Sequence, residues 1–178
     1  MKIGVFSDSH DHMVNIESAV QKFIDAGVEK IVHCGDLVAP FIKRAMLDLE
    51  KHPEIERIGV FGNNDGERPG IRHILKGMME FKGDFTAVEW NGCKIAIYHG
   101  TELGLLDGLI YSGKYDLILT GHTHQLRVEQ INKTLVVNPG ETCGYLTGKA
   151  TCAIINLTTA HPTPENVQIL QLAQDRKW

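Results

Sequence analysis

The sequence contains no pair of cysteines in Cys-x-x-Cys spacing, no run of basic residues and no long apolar stretch. Each absence excludes a class of protein. The four cysteines, Cys34, Cys93, Cys143 and Cys152, lie far apart. A structural zinc site needs clustered thiols and a disulfide framework belongs to small secreted chains, so these four read as reduced core thiols. Lys and Arg are scattered and the formal charge is only -4, so the electrostatic footprint of a nucleic-acid binder is missing. Nucleic acid is therefore not required as a partner, although it stays open as a substrate. The apolar start, Met1 to Phe6, turns polar at Ser7, which is too short for a signal peptide or a membrane span. A soluble cytoplasmic protein with no membrane partner is expected, and a homodimer or higher homo-oligomer is compatible with this composition.

What is present is an ordinary globular balance: 178 residues, 43% of them hydrophobic and 22% charged. That length suits a single domain, residues 1–178, with a core large enough to need no staples. Short runs rich in Val and Ile alternate with stretches of helical period, which is the pattern of an α/β fold whose strands are buried on both faces. Strands are expected at Ile3 to Ser7, Lys30 to Cys34 and Arg57 to Phe61, with helices at about Val14 to Ala26 and Phe41 to Leu49. In the first helix Ile16, Ala19, Val20, Phe23 and Ile24 share one face. Gly27 ends it, and Pro40 opens the second helix where a missing amide proton does no harm. Further on, Phe85 to Trp90 and Lys94 to Tyr98 flank Asn91-Gly92, a strong hairpin signal. A helix over Leu103 to Tyr111, a strand at Leu117 to Thr120, a hairpin around Asn132-Lys133 and strands at Thr151 to Asn156 and Val167 to Leu172 complete the reading. The first half is expected to be wound and parallel, the second to be a meander.

Five of the apolar runs pass directly into clusters of side chains able to bind metal. They end in Asp8-Ser9-His10, Gly35-Asp36, Gly62-Asn63-Asn64-Asp65, His99-Gly100 and Gly121-His122-Thr123-His124. Ligands of open α/β sheets bind outside the carboxyl ends of the strands, so these clusters can converge on one crevice. Singly, an Asp or His at a strand end is usually a turn former or helix cap; the repetition is what carries the reading. Carboxylate and imidazole without thiolate suit manganese, iron, nickel, cobalt or zinc. Seven ligands exceed the needs of one ion. Two divalent ions, roughly 3.5–4 Å apart and bridged by a carboxylate, would use the whole set and would clamp the attacking and leaving oxygens of an in-line displacement.

In these motifs, D-x-H, G-D, G-N-x-[DE], H and G-H-x-H in order from Asp8 to His124, the sequence resembles the calcineurin-like metallophosphoesterase superfamily, and its size and Asn138-Pro139-Gly140 turn resemble the small phosphodiesterase branch. The resemblance implies two packed mixed β-sheets flanked by helices. It implies that Asp8, His10 and His124 hold one ion, that Asn63, His99 and His122 hold the other, and that Asp36 bridges both. A bridging hydroxide would attack the phosphorus of a small phosphodiester substrate. One position departs from the family motif, which usually has a histidine where this chain has Asn64. An amide cannot donate a proton to a leaving group, so Asn64, on the leaving-group side with Asp65, implies either a preference for diesters with good leaving groups or a substrate that supplies the missing acid. His12, His33, His52, His73 and His161 read as surface or packing residues, with His12 placed for a helix start. Arg68 reads as a salt-bridging arginine and Gly140-Glu141-Thr142 as a tight turn behind the site.

Two other functions fit the same fold. A non-catalytic scaffold has no use for seven metal-competent side chains, which argues against it. A monoesterase of the protein phosphatase or nucleotidase kind usually carries insertions that grip its substrate, whereas the loops between these motifs are mostly short.

Overall fold

The structure is a computed structural model, and it describes residues 1–172. Among the described residues, eleven strands form two sheets. In the first, β1 (Lys2–Phe6), β2 (Lys30–His33), β3 (Glu56–Gly59) and the two-residue β4 (Glu80–Phe81) run parallel, and β10 (Thr151–Asn156) and β11 (Val167–Gln171) extend the β1 edge antiparallel. The second has the order β5 (Phe85–Trp90), β6 (Cys93–Tyr98), β7 (Leu117–Leu119), β9 (Thr134–Pro139), β8 (Leu126–Ile131). Both hairpins form with their turns at Asn91-Gly92 and Asn132-Lys133, where Asn91, Gly92 and Asn132 have positive φ.

Side-chain alternation along the strands builds the layers. Ile3, Val5, Val32, Cys34, Ile58 and Val60 point toward the second sheet and meet Ile95, Ile97, Leu117, Leu119, Leu135 and Val137 in one apolar cluster. The opposite face of the first sheet, including Phe6 and Ile31, is covered by α1 (Met13–Asp25), a 3₁₀ helix (Pro40–Lys51) and α2 (Arg68–Ile74). α1 lies so near that a Cβ on Gly4 would stand 2.7 Å from the Phe23 ring. The outer face of the second sheet, Ala96, Tyr98, Ile118 and Val136, is covered by Leu106 and Ile110 of α3 (Leu103–Tyr111). The result is helix, sheet, sheet, helix, two mixed sheets with helices outside. All four cysteines are free and buried, and burial pushes the thiols of Cys93, Cys143 and Cys152 up to about 12.

Three details differ from the sequence reading. The second half is not a meander, because β6, β7 and β9 run parallel; α3 carries the chain back between β6 and β7, as parallel pairing requires. The segment from Pro40 is a 3₁₀ rather than an α-helix. Its buried residues Ile42, Ala45, Met46 and Leu49 keep the i, i+3, i+4, i+7 spacing of an amphipathic α-helix, so the side-chain pattern announces a helix but not its tighter winding. α2 and β4 were absent from the reading: α2 buries only Ile71 and β4 has two residues, too few for a periodic signal. Among the described residues no helix is long and apolar enough to cross a membrane.

Candidate metal centre

The carboxyl ends of β1, β2 and β3 and those of β6 and β7 open on the same end of the two sheets, and the polar clusters meet there. Asp8, Asp36 and His99 form one group whose possible ligand atoms all lie within 4.8 Å of one another, and Asp8, His10 and His124 form a second. Asp36 Oδ2 faces His99 Nε2 at 3.3 Å and His10 Nε2 at 3.7 Å. Asp8 Oδ1 faces His124 Nε2 at 3.4 Å and His99 Nε2 at 4.0 Å. The His122 ring lies 5.3 Å from that of His99, centroid to centroid, and the His122 amide donates to both oxygens of Asp8. Asn63 is exposed at the rim, where its side-chain oxygen accepts from the Thr101 hydroxyl at 3.5 Å.

The backbone is held in unusual shapes to bring these groups together. Asp8, His10, Asp36, His122 and His124 all have φ between 40° and 69°, a region few residues with a Cβ occupy. Such strain persists only where surrounding contacts enforce it, and it gathers at functional sites. Asp8 and His10 amides donate to Gly35 and Asp36 carbonyls across the two loops. Gly62 permits close approach, since a Cβ there would lie 2.1 Å from Asp36 Oδ1. Gly121 does the same for the first loop, with a Cβ 2.0 Å from Ser7 Oγ and 2.7 Å from Asp8 Oδ2.

The protonation pattern fits a cation. His99 Nδ1 donates to the Cys34 carbonyl at 2.7 Å, so in the neutral ring Nε2 carries a lone pair. That lone pair faces carboxylates, and the Nε2 atoms of His99 and His10 are both buried without a hydrogen-bond partner. Acceptors facing acceptors in a buried cleft repel unless a cation lies between them. The same demand for positive charge shows in how these groups titrate. Burial opposes a positive His99, yet the Asp36 and Asp8 carboxylates facing Nε2 outweigh it and raise the His99 pKa. Burial likewise pushes Asp36 up, but His99 and the Asn64 donors win and hold it well below the usual carboxylate range. Asp8 is raised by burial. Carboxylates and imidazoles arranged this way are suited to divalent transition metals.

Other residues brace the cluster. Asp65 is buried and its carboxylate accepts from three backbone amides, Gly62 at 2.7 Å, Val38 at 2.7 Å and Asp36 at 3.0 Å. Asn64 donates to Asp36 twice, from its backbone to Oδ1 at 2.8 Å and from its side-chain amide to Oδ2 at 2.7 Å. His33, fully buried, accepts from the Gly35 amide at Nδ1 and bonds Ser9 Oγ through Nε2. Asn138 donates to the Gly121 carbonyl and the Thr123 hydroxyl. His12 caps α1, its Nδ1 accepting from the Asn15 amide. Arg68 pairs with Asp84 at 2.7 Å.

The sequence reading underrated Glu141, treating its segment as a turn. Its carboxylate is fully buried and lies 2.6 Å from His124 Nδ1. Burial pushes it up, but His124 and the Thr147 and Leu146 donors hold it at about 2. A signal was available: β9 runs into Gly140-Glu141 just as β2 runs toward Gly35-Asp36.

Residues 1–160 match the family model of the calcineurin-like phosphoesterase superfamily domain. A phosphodiesterase of Methanocaldococcus jannaschii is 42% identical over 158 residues, covering 88% of this chain and 93% of the relative. A solved structure described as a novel archaeal phosphodiesterase superposes with a TM-score of 0.81 at 38% identity, covering 97% of this chain and all of that one. The Escherichia coli phosphoesterase YfcE, at 18% identity and a TM-score of 0.67 over 98% of this chain and all of that one, shares the fold. The chain thus belongs to the calcineurin-like phosphoesterase superfamily and is a hydrolase of phosphoric esters.

Proposed function

We propose that this protein is a cytoplasmic phosphodiesterase, one domain over residues 1–178, that works with two divalent ions drawn from manganese, nickel, iron, cobalt or zinc. Asp8, His10 and His124 would hold one, Asn63, His99 and His122 the other, with Asp36 common to both. The observation that carries this reading is the position of Asp36: a single oxygen, Oδ2, faces one imidazole from each set, His10 and His99. Such a pair, when bound, supplies positive charge to the phosphoryl oxygens and lowers the pKa of the attacking water.

The chain's own residues orient and complete the site. Asn64 fixes both oxygens of Asp36, and Asp65 fixes the Asp36 amide, so the shared carboxylate is held in place before substrate arrives. Asp65 acts as a positioning residue, since its carboxylate is occupied by backbone amides on the far side of Asp36. Asn64, exposed beside Asp36, can donate a hydrogen bond to a phosphoryl or leaving oxygen but no proton. The leaving group must therefore depart as a weak base, which favours a small diester with an acidic leaving alcohol over an alkyl ester. The identity to an archaeal phosphodiesterase supports the diester preference. Nothing in the reaction calls for nucleic acid or a membrane.

The test is hydrolysis of a bis-aryl phosphate and the matching monoester by metal-stripped protein refilled with manganese, nickel or zinc, with Asp36→Ala as the control. Metal-dependent turnover faster on the diester and lost in Asp36→Ala supports the proposal. Equal turnover in the variant, or a preference for the monoester, contradicts it.

A further inference from the structure

Behind His124 lies a carboxylate whose bonds are arranged by oxygen. Glu141 Oε1 accepts from the Thr147 amide at 2.6 Å, the Thr147 hydroxyl at 2.7 Å and the Leu146 amide at 3.0 Å. Oε2 lies 2.6 Å from His124 Nδ1 and 3.2 Å from Cys143 Sγ, and also receives the Leu146 amide at 3.1 Å. The far nitrogen of His124, Nε2, faces Asp8 Oδ1 at 3.4 Å. An ionised carboxylate only accepts, so the ring must carry its proton on Nδ1.

We propose that Glu141 is a positioning residue that fixes His124 as the Nδ1–H tautomer, leaving the Nε2 lone pair to bind a divalent cation beside Asp8. This rests on the reading of His124 as a metal ligand. The neutral imidazole has two tautomers, and only the one with Nε2 bare can bind a metal from that nitrogen. Partners on the remote nitrogen of a ligating histidine set tautomer and ring orientation together. Glu141 is itself held by the 146–147 backbone, so the ring is locked against a rigid base.

The division of bonds between the two oxygens makes Glu141→Gln a sharp test. Three donors converge on Oε1, so the amide oxygen of glutamine takes that place and its NH₂ takes the place of Oε2. That NH₂ points a donor at His124 Nδ1, which must then accept, and the proton moves to Nε2. The 146–147 loop keeps its three bonds to the remaining oxygen and loses only the second branch of the Leu146 amide bond, while the metal-binding nitrogen is blocked.

Two measurements on the full-length protein decide it. Long-range ¹H–¹⁵N correlation spectra of the metal-stripped protein, with the His124 signals assigned by their loss in His124→Gln, should show Nδ1–H in wild type and Nε2–H in Glu141→Gln. Competition with a chelating dye should show Mn²⁺ binding weakened by about 10- to 100-fold in Glu141→Gln. Thr147→Val removes one donor to the same carboxylate but leaves the carboxylate intact, and should keep both the tautomer and the Mn²⁺ affinity. Wild-type His124 found as Nε2–H overturns the inference whatever the variants do. So does a Glu141→Gln protein that keeps Nδ1–H and binds Mn²⁺ within about threefold of wild type, well inside the usual effect of losing such a partner. A wild type with the expected tautomer that binds no Mn²⁺ overturns the metal reading instead, so the two failures are distinct.

Discussion

Acid should unfold the metal-stripped protein in part through one buried imidazole. His33 is fully buried beneath the ligand loops, edge-on to the Phe6 ring, with centroids 4.5 Å apart. Its Nδ1 accepts from the Gly35 amide at 3.1 Å, so Nε2 is the protonated nitrogen and donates to Ser9 Oγ at 3.0 Å. A second proton would set an N–H against the Gly35 N–H in a fully buried site. Burial first, with the neighbouring His99 adding to it, lowers the His33 pKa from 6.5 to about 3. The folded protein thus keeps His33 neutral where the unfolded chain takes up a proton. The stability from the neutral ring is complete above about pH 6.5 and is lost as pH falls toward about 3, at about 1.4 kcal/mol per pH unit. Between pH 7 and 5 the loss is about 2 kcal/mol. Urea unfolding in chelator at both pH values, on wild type and His33→Gln, measures it. Glutamine can still donate to Ser9 but leaves the Gly35 amide unpaired, so the variant should be weaker at pH 7 by about 1–3 kcal/mol. Its loss between the two pH values should be smaller than that of wild type by about 2 kcal/mol. Equal losses in the two proteins would refute the argument, because every other titrating group is common to both.

Asn64→His restores a proton donor next to Asp36. Faster diester hydrolysis with a new limb in the pH–rate profile is expected, bounded by the factor of about 10²–10⁴ typical of general acids, and unchanged kinetics would rule out a missing acid as the limit on rate. Gly121→Ala places a methyl group 2.0 Å from Ser7 Oγ and 2.7 Å from Asp8 Oδ2, so Asp8 must move. A stability loss of about 1–3 kcal/mol and Mn²⁺ binding weakened by at least about tenfold are expected, read by urea unfolding and dye competition; wild-type Mn²⁺ affinity would show that Asp8 is not confined as described.

Most of the scaffold could be read from the sequence because its strands are short, apolar and bounded by glycine or asparagine. Ile3, Val5, Val32 and Ile58 announce buried strands, and Asn91-Gly92 announces its hairpin. Where pattern and structure part, the side-chain period matched an α-helix while the backbone winds more tightly, as at Ile42 to Leu49, or the element was too short to have a period, as at Glu80–Phe81. The candidate ligands were legible for a different reason: Asp8, Asp36, His99 and His124 each follow an apolar run, and the fold converts that local feature into a shared location. Their supports were not legible. Asp65 reaches back to the Asp36 amide, His33 to Ser9 across 24 residues and Glu141 to His124 across 17. Such pairings depend on loop geometry that only the complete fold defines, and a carboxylate that binds an ion looks the same in sequence as one that holds a backbone amide.

The candidate ligands come from both sheets: Asp8, His10 and Asp36 follow β1 and β2 of the first, while His99, His122 and His124 follow β6 and β7 of the second. Elsewhere the sheets meet mainly through apolar side chains such as Val5, Val32, Ile97 and Leu119, which interdigitate but make no directional bonds of their own, with polar ties at the far end from Asn91 to the Leu157 carbonyl and from His161 to Asp116. A cation held at the ligand end would act as a rivet there, so that the register of one sheet against the other would be pinned at both ends of the apolar layer. Small relative displacements of the sheets would be translated into changes in ligand spacing, so the rigidity of the apolar interface sets how faithfully the site holds its shape.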